Sequence, residues 1–543
     1  MPPAAKAISA FKHPSYARYA PTWALLRDVR DGDGGFLDGT ALVAHPREWL
    51  DYDQANPSSP TKKLKARRQL ACYENFAATI VEAMRTALFR QQPSRRVGPP
   101  PALPPQPPPP PKPGEEPIIP TSGDEPPQPE PVAVPQPTPQ APEPLAQWWD
   151  NVDGLGTHID DFIALAWNLA ATFGHVFLYL DKPAVDAQTA ADEPLPILRI
   201  YTPLDAWDWL TDELGRLIAV KFAEAVPRTS MDVTPIAPQP RMRVIDATQW
   251  TLYDEKGARV DGGPHGMGVL PVVVLYGERR PLDPVLGRSI LGDPKQYQDL
   301  YNLTSEVREL LRNQTFGILN VPLGTGPDAM TVEQASRLLG SATGTENVLF
   351  SGLAAGFISP DASNVEVYHA EILRRLRGIY RQCGLPWEAD SRDAEAEGSI
   401  KLKREELNTR LAGFADECER TEYTLIELVY RMTKGQAWQQ AMETDAPSVS
   451  YPQTFDTTPF DALIEQAQAA QSLQLPSLFL REMRKRLVRK FEGFADAPAN
   501  LLQAIDQQID AAPPPLTPEE QLERRVALMT KAGLPTTAKP FAP

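Results

Sequence analysis

The side chains that could do chemistry are few, and their spacing does not suit it. Six histidines, at positions 13, 45, 158, 175, 265 and 369, are scattered with no HxH or HExxH pair. Zinc chemistry needs two imidazoles on one helix face or strand edge, so each histidine reads as a surface or core residue. Cys72, Cys383 and Cys418 form no CxxC pair, which leaves neither a disulfide framework nor a zinc site and fits a reducing cytoplasm. The glycine runs GLGT (154–157) and GTGPDAM (324–330) lack the Lys and Ser/Thr that a phosphate-cradling loop carries after its last glycine. Asp181, at the end of the strand-like HVFLYLD, is a carboxylate with no visible partner base. The densest run of acids, SRDAEAEG (391–398), alternates carboxylates along a small, alanine-rich loop, an arrangement unorganised for octahedral magnesium. Two basic patches, RLRGIYR (375–381) and KLKREE (401–406), read either as solvated helix faces or as contacts to a polyanion. No catalytic, cofactor-binding or metal residue is expected, and no enzyme.

The totals set the frame. The chain has 543 residues, a 42% hydrophobic share and a formal net charge of −16. That length is ample for a large core in more than one packed unit. The charge argues against gripping nucleic acid through a broad basic face, yet repulsive walls suit a protein that lets DNA slide past. Of the 59 prolines, 22 lie between Pro99 and Pro144. Proline fixes φ and removes a donor, so residues 98–147 read as a polyproline or disordered insertion, better suited to a spacer than to a module ligand. The stretch MPPAAKAISAFKHPSY has no apolar signal core, and no run of about 18 apolar residues occurs, so neither export by a standard signal nor a membrane span is expected.

The elements that must position these residues follow from periodicity. The reading is α+β. From His13 to Arg90 the pattern is helical, with Leu70, Tyr73, Phe76, Ile80, Met84 and Leu88 spaced as one amphipathic helix. After the proline tract, Thr157 is expected to cap a helix that stops at Gly174, followed by the buried strand HVFLYLD. ILRIYTP, LIAVKFAEAV, RMRVIDATQWTLYDEKG and LPVVVLYGE read as further strands, with DEKG as a turn. Two long helices, one carrying Tyr297, Leu300, Tyr301, Thr304, Val307, Leu310 and Leu311 and the other Val365, Tyr368, Ile372, Leu376, Ile379 and Cys383, bracket a small insert. In that insert FGILNVPLG and ENVLFSG read as strands and TVEQASRLLGSA as a helix. Gly384 and Pro386 stop the second helix, the acidic run intervenes, and a helix of more than 30 residues then runs to Gly435. PSVSYPQTFD reads as a strand, and the remainder is helical, closing on a capping box at Thr517, Pro518 and Glu520 with a stop at Gly533.

This order resembles the portal proteins of tailed bacteriophages. The resemblance rests on His13, Pro14, Tyr16, Trp23, Arg27, Asp28 and Gly32, on ACYENF and DNVDGLGTHIDDFIALAWNLAATFGHVFLYLDKP, and on SILGDPKQYQDLYNLTSEVRELL and VEVYHAEILRRLRGIYRQCGLP. It covers most of residues 11–90 and 148–500, with the proline tract as a departure. It implies a division into wing (1–97 and 148–292), stem helices (293–316 and 363–384), clip (317–362), tunnel loop (385–400), a long wing helix and strand (401–455), and a helical crown (456–543). It also implies a homo-oligomeric ring, usually of twelve subunits, at one capsid vertex of the virion, assembled in the bacterial host cytoplasm. Such a ring conducts double-stranded DNA non-specifically and meets the terminase large subunit, the major capsid protein and a head–tail adaptor, with no membrane and no cofactor.

Laid on the residues, the channel lining is expected at Glu388, Asp390, Arg392, Asp393, Glu395, Glu397 and Gly398. Contacts to DNA or to a neighbouring subunit are expected at Arg374, Arg375, Arg377, Arg381, Lys401, Lys403 and Arg404. The physical logic is that a ring multiplies a few acids into a negative collar, which confines a polyanion without holding it. The competing expectation is a non-enzymatic scaffold that recruits partners through the proline tract.

Overall fold

The computed structural model describes residues 11–44, 62–98, 144–182, 194–225, 241–281, 283–315, 318–322, 348–351, 356–358, 363–385, 397–452 and 477–490, with a few further single positions. The chain divides into two compact units, Met1–Phe455 and Asp456–Pro543. The fold is α+β.

In the first unit, helix α1 (Pro14–Asp31) opens with Pro14 in its first turn and ends on Gly32 in the left-handed region. The expected single helix over residues 66–89 is instead two, α2 (Lys62–Leu70) and α3 (Phe76–Leu88). The reason lies in the intervening side chains. Asn75 Oδ1 accepts from Ala78 N at 2.9 Å and caps α3, its Nδ2 donates to Arg30 O at 2.7 Å, and Tyr73 OH donates to Val29 O at 2.8 Å. Residues 71–75 therefore tie α3 to the end of α1 rather than continuing a helix. A three-residue strand, β1 (Ser94–Arg96), precedes the proline tract, which lies outside the described residues.

Helix α4 (Pro144–Asp150) buries Trp148 completely, with its indole N–H donating to Pro196 O at 2.8 Å. Helix α5 (Ile159–Phe173) is capped by the ring of His158, which accepts from Asp160 N; Thr157, the expected cap, donates its hydroxyl to Asp153 at 2.6 Å instead. Ile159, Ile163, Ala166, Trp167 and Ala170 are all fully buried, so α5 is a core helix rather than an amphipathic surface one. It packs on β2 (His175–Asp181), the centre of an antiparallel sheet ordered β3 (Ile197–Tyr201), β2, β9 (Val272–Tyr276). Burial of β2 on both faces accounts for its continuous apolar run.

Strands β4 (Ala206–Thr211), β5 (Leu217–Glu224), β6 (Arg241–Asp246), β7 (Gln249–Tyr253) and β8 (Arg259–Pro264) form an antiparallel meander in that order. The DEKG turn joins β7 to β8 through Asp254 Oδ1, which accepts from Lys256 N at 2.9 Å and Ala258 N at 2.7 Å. A short ribbon, β10 (Glu278–Arg280) with β11 (Asp283–Arg288), crosses the joint between α5 and β2. A Cβ on Gly287 would lie 1.8 Å from Gly174 O, so two backbones meet here where no side chain fits.

Helix α6 (Lys295–Thr315) and helix α7 (Ser363–Gln382) bracket a three-stranded sheet of β12 (Ile318–Pro322), β13 (Val348–Ser351) and β14 (Gly356–Ile358). In that sheet β12 is central, parallel to β13 and antiparallel to β14. Most of the expected insert helix, TVEQASRLLGSA, lies outside the described residues. Helix α8 (Glu397–Lys434) then runs for 38 residues, about 57 Å at 1.5 Å per residue. It packs on α3, β2 and β9, and short helix α9 (Trp438–Asp445) leads to β15 (Ser448–Ser450), which pairs with β1.

In the second unit the described structure is chiefly helix α10 (Ser477–Lys490), with Leu480 and Met483 buried. The expected capping box at Thr517, Pro518 and Glu520 and the stop at Gly533 lie outside the described residues.

Candidate functional site

The candidate site is the helical hairpin α6–α7, the joint below it and the start of α8. The helices are antiparallel, because Tyr297 OH lies 4.0 Å from Cys383 Sγ while Arg375 Nη1 reaches Asp299 at 2.8 Å. Burial decides where the hairpin belongs to the body. At its base Tyr297, Leu300, Tyr301, Leu376, Ile379 and Cys383 are buried, and each such aliphatic or aromatic side chain contributes on the order of 1.5–3 kcal/mol. Further out, Leu311 lies on the same face of α6 as Tyr297 yet is 42% exposed, whereas Val367, 69% exposed, stands on the side of α7 away from Leu376 and Ile379. The seam holds the base to the body, and burial along α6 falls from Tyr297 to Leu311.

The four arginines of α7 have different surroundings. Glu371 accepts from Arg374 twice, at 2.6 Å each, and from Arg375 at 2.9 Å. Those hydrogen bonds, Arg374's first, hold the Glu371 carboxyl down at about 2. Arg374 and Arg375 therefore present a neutralised cluster, and Arg375 also ties the two helices together through Asp299. Arg377 and Arg381 are exposed. Arg381 makes no ion pair among the described residues.

Helix α7 ends as the glycine predicts. Gly384 sits at φ 74°, its N–H donates to Arg381 O, and Leu385 N–H reaches back to Tyr380 O at 2.9 Å, closing a Schellman motif. Arg410 of α8 supports that terminus, donating to Gln382 O at 3.3 Å and lying 3.8 Å from Glu278. Together with Arg288, Ser289, Glu406 and Thr409 these residues line an open cleft of about 590 Å³. Beside it Arg279 holds Glu417 with two hydrogen bonds, at 2.9 and 2.7 Å, and so fastens the β10–β11 ribbon to α8. The chain thus leaves α7 at a point fixed by three elements.

Of the residues expected to line a channel, Glu388, Asp390, Arg392, Asp393 and Glu395 lie outside the described residues. Glu397 and Gly398 are the first two residues of α8, so the helix starts before Lys401, where the sequence pattern had placed its onset. Lys401, Lys403 and Arg404 stand in the next turn of that helix, with side chains outside the described set.

Sequence reasoning missed a buried ionic cluster. Arg95 of β1 pairs with Glu422 of α8, making one hydrogen bond at 2.9 Å and a second through Nε, and with Asp160 of α5 at 2.6 Å. Tyr451 donates to the same Glu422 at 2.8 Å. Arg95 and Asp160 stand on opposite sides of the proline tract, so a buried bridge joins its two flanks. Gly98 N–H also donates to Asp445 O, and Asp445 lines a cleft of about 210 Å³ together with Leu145. The tract leaves and re-enters the body at one corner, which no local signal in SRRV or SVS could reveal.

Two of the three thiols are buried and unsuited to nucleophilic work. Burial pushes Cys383 up to about 11 and Cys418 well above its ordinary value. Among the described residues no group of three or more His, Cys, Asp or Glu side chains could hold a metal ion, and no helix is long and apolar enough to cross a membrane.

No protein-family profile and no curated protein matches the chain. Among solved structures, a chain from the neck of an empty GTA particle computed with C6 symmetry is similar at 13% identity and a TM-score of 0.35. The match covers 60% of this chain and 78% of that one.

Proposed function

We propose that the chain is a portal-type subunit: a non-enzymatic structural protein that forms a ring at a capsid vertex and conducts double-stranded DNA. The observation that carries this reading is the antiparallel hairpin α6–α7, whose apolar seam is buried at the base and whose helices also carry the exposed apolar side chains Val367 and Leu373. Neighbouring copies standing side by side would cover those exposed apolar side chains. The acidic stretch 386–396 departs from the Schellman terminus at Gly384, at the foot of the hairpin, where a ring would have its opening. On this reading the β12–β14 sheet meets the terminase and later the head–tail adaptor, and the wing meets the major capsid protein.

Three results test it. Negative-stain images of the purified chain are expected to show rings with a central hole; a chain that stays monomeric under all conditions while binding partners through its proline tract would favour the scaffold reading. The pair Leu311→Glu and Val367→Glu is expected to abolish rings while shifting monomer stability by no more than about 0.5 kcal/mol each, since both sites are already exposed. Wild-type rings from that variant would remove the hairpin from the interface. Deleting residues 390–398 is expected to leave ring assembly intact and to impair DNA packaging or retention.

A further inference from the structure

The hairpin α6–α7 is held from the side by a loop that keeps its own shape. Residues Asp33–Val43 close on themselves: Ala41 N donates to Gly35 O at 2.8 Å, Leu42 N to Gly39 O at 3.1 Å, and Thr40 N to Asp38 Oδ1 at 2.7 Å. Phe36 and Leu42 are buried and anchor the loop in the core of the first unit. One face of α6, carrying Gln298, Tyr301, Asn302 and Ser305, lies against it. Gln298 Nε2 donates to Ala41 O at 2.8 Å, and Asn302 Oδ1 accepts from Val43 N at 2.8 Å. Asn302 Nδ2 donates to Gln298 O at 2.9 Å, which sets the amide for that contact. The Tyr301 ring stands 5.5 Å from Phe36 and 5.6 Å from Tyr73. Arg67 of α2 donates to Val43 O at 2.6 Å and reaches Ser305 Oγ at 3.4 Å. Ser305, although polar, is buried there.

At its foot the same hairpin meets the rest of the chain through two glycines in the left-handed region, Gly292 at φ 72° before α6 and Gly384 at φ 74° after α7. They stand together, since a Cβ on Gly292 would lie 2.2 Å from the Gln382 side-chain amide. Among the elements of the fold, α6 packs chiefly on α7 and on α2. We propose that the loop Asp33–Val43 is a latch, and that its release lets α6 and α7 swing together as a lever about Gly292 and Gly384. The contacts that must part are a few neutral hydrogen bonds, whose net worth is small because water takes them over, and one tyrosine ring. The two helices keep their own seam and the Arg375–Asp299 bridge in either position. Ser305 lies about 20 Å along the helix from Gly292 and Thr315 about 35 Å, so a small parting at the latch is enlarged at the β12–β14 sheet. The latch uses contacts within one chain and stands whether or not rings form.

The test follows rare opening of the full chain with two reporters. The first is amide exchange at single-residue resolution, corrected for intrinsic rates. Val43 N donates to the hairpin, whereas Ala41 N and Leu42 N donate within the loop. The Val43 amide is expected to exchange roughly tenfold or more faster than those of Ala41 and Leu42. The second is the thiol of Ser305→Cys, in a Cys72→Ser background, timed against native Cys418, which is fully buried in α8. That thiol is expected to react with a disulfide reagent roughly tenfold or more faster than Cys418, with the same opening constant as the Val43 amide. Gln298→Ala, which removes the bond to Ala41 O, should raise both by one factor, about fivefold for an ordinary hydrogen bond. Equal protection at Val43, Ala41 and Leu42 would mean that the loop frays or the unit unfolds as a whole, and would overturn the latch. So would a thiol that reacts no faster than Cys418, or a Gln298→Ala variant that leaves the Val43 amide at its wild-type rate. The amide pattern with Gln298→Ala decides between these outcomes even where Ser305→Cys fails to fold.

Discussion

Arg95→Met is expected to destabilise the first unit by about 3–5 kcal/mol, read as a lowered denaturation midpoint in urea. Arg95 is 8% exposed and Glu422 is fully buried, with the guanidinium as the only cation among the described residues that pairs with that carboxylate. Removing it leaves a buried charge with Tyr451 as its remaining hydrogen-bond donor. The cost is the desolvation of an unpaired ion rather than the net worth of the pair, so Arg95→Met combined with Glu422→Leu should recover much of the loss. A companion experiment separates the clamp from what it encloses. Replacing residues 99–143 with about six Gly/Ser residues, keeping Arg95 and Asp160, is expected to raise stability by no more than about 2 kcal/mol, because loop length enters closure entropy only logarithmically. A large loss in the replacement would mean that the tract itself packs on the body.

Acid should unfold the protein earlier than its carboxylates alone would cause, and His175 is the reason. Its ring is completely buried among Trp23, Phe177 and Tyr276, its Nδ1 accepts from Gly287 N at 3.2 Å, and its Nε2 finds no partner among the described residues. Burial first, and the nearby Arg280 second, push it down to about 3. Above pH 6.5 the ring is neutral in both folded and unfolded chains and contributes no pH dependence. As pH falls below 6.5 the unfolded chain takes up a proton that the native one refuses, so stability is lost through the window from about 6.5 down to about 3. At 1.36 kcal/mol per pH unit the loss is about 2 kcal/mol by pH 5, before most carboxylates titrate. Melting temperatures measured from pH 7 to pH 4.5 should fall for the wild type and fall less for His175→Gln. Parallel curves for the two would show that another group carries the acid sensitivity.

Both effects arise from residues whose roles are invisible in the local pattern. SRRV looks like polar loop sequence, and Glu422 sits in a helix rich in charges; only the pairing of β1 with β15 brings Arg95 to a carboxylate 327 residues away. His175 reads as part of an apolar strand, which correctly indicates burial, yet the close approach of Gly287 that supplies its hydrogen bond depends on a ribbon folded over from β10 and β11. The break at 71–75 was likewise hidden, because Tyr73 keeps the helical spacing while its hydroxyl is bonded to Val29 of another helix.

Local chemistry by itself determined the element types and many of their ends: Gly32, Gly174 and Gly384 each stop a helix because a left-handed backbone suits glycine, and alternation and three-four spacing record which residues leave water. The tertiary structure alone decided what those elements meet. It closed the flanks of the proline tract through Arg95 and Asp160, it bound Arg374 and Arg375 to Glu371, and it left Val367 and Leu373 of α7 exposed. The reason is physical: propensity and periodicity are set by neighbours a few residues away, whereas the desolvation of a charge or an apolar face depends on chain segments that only folding brings within contact.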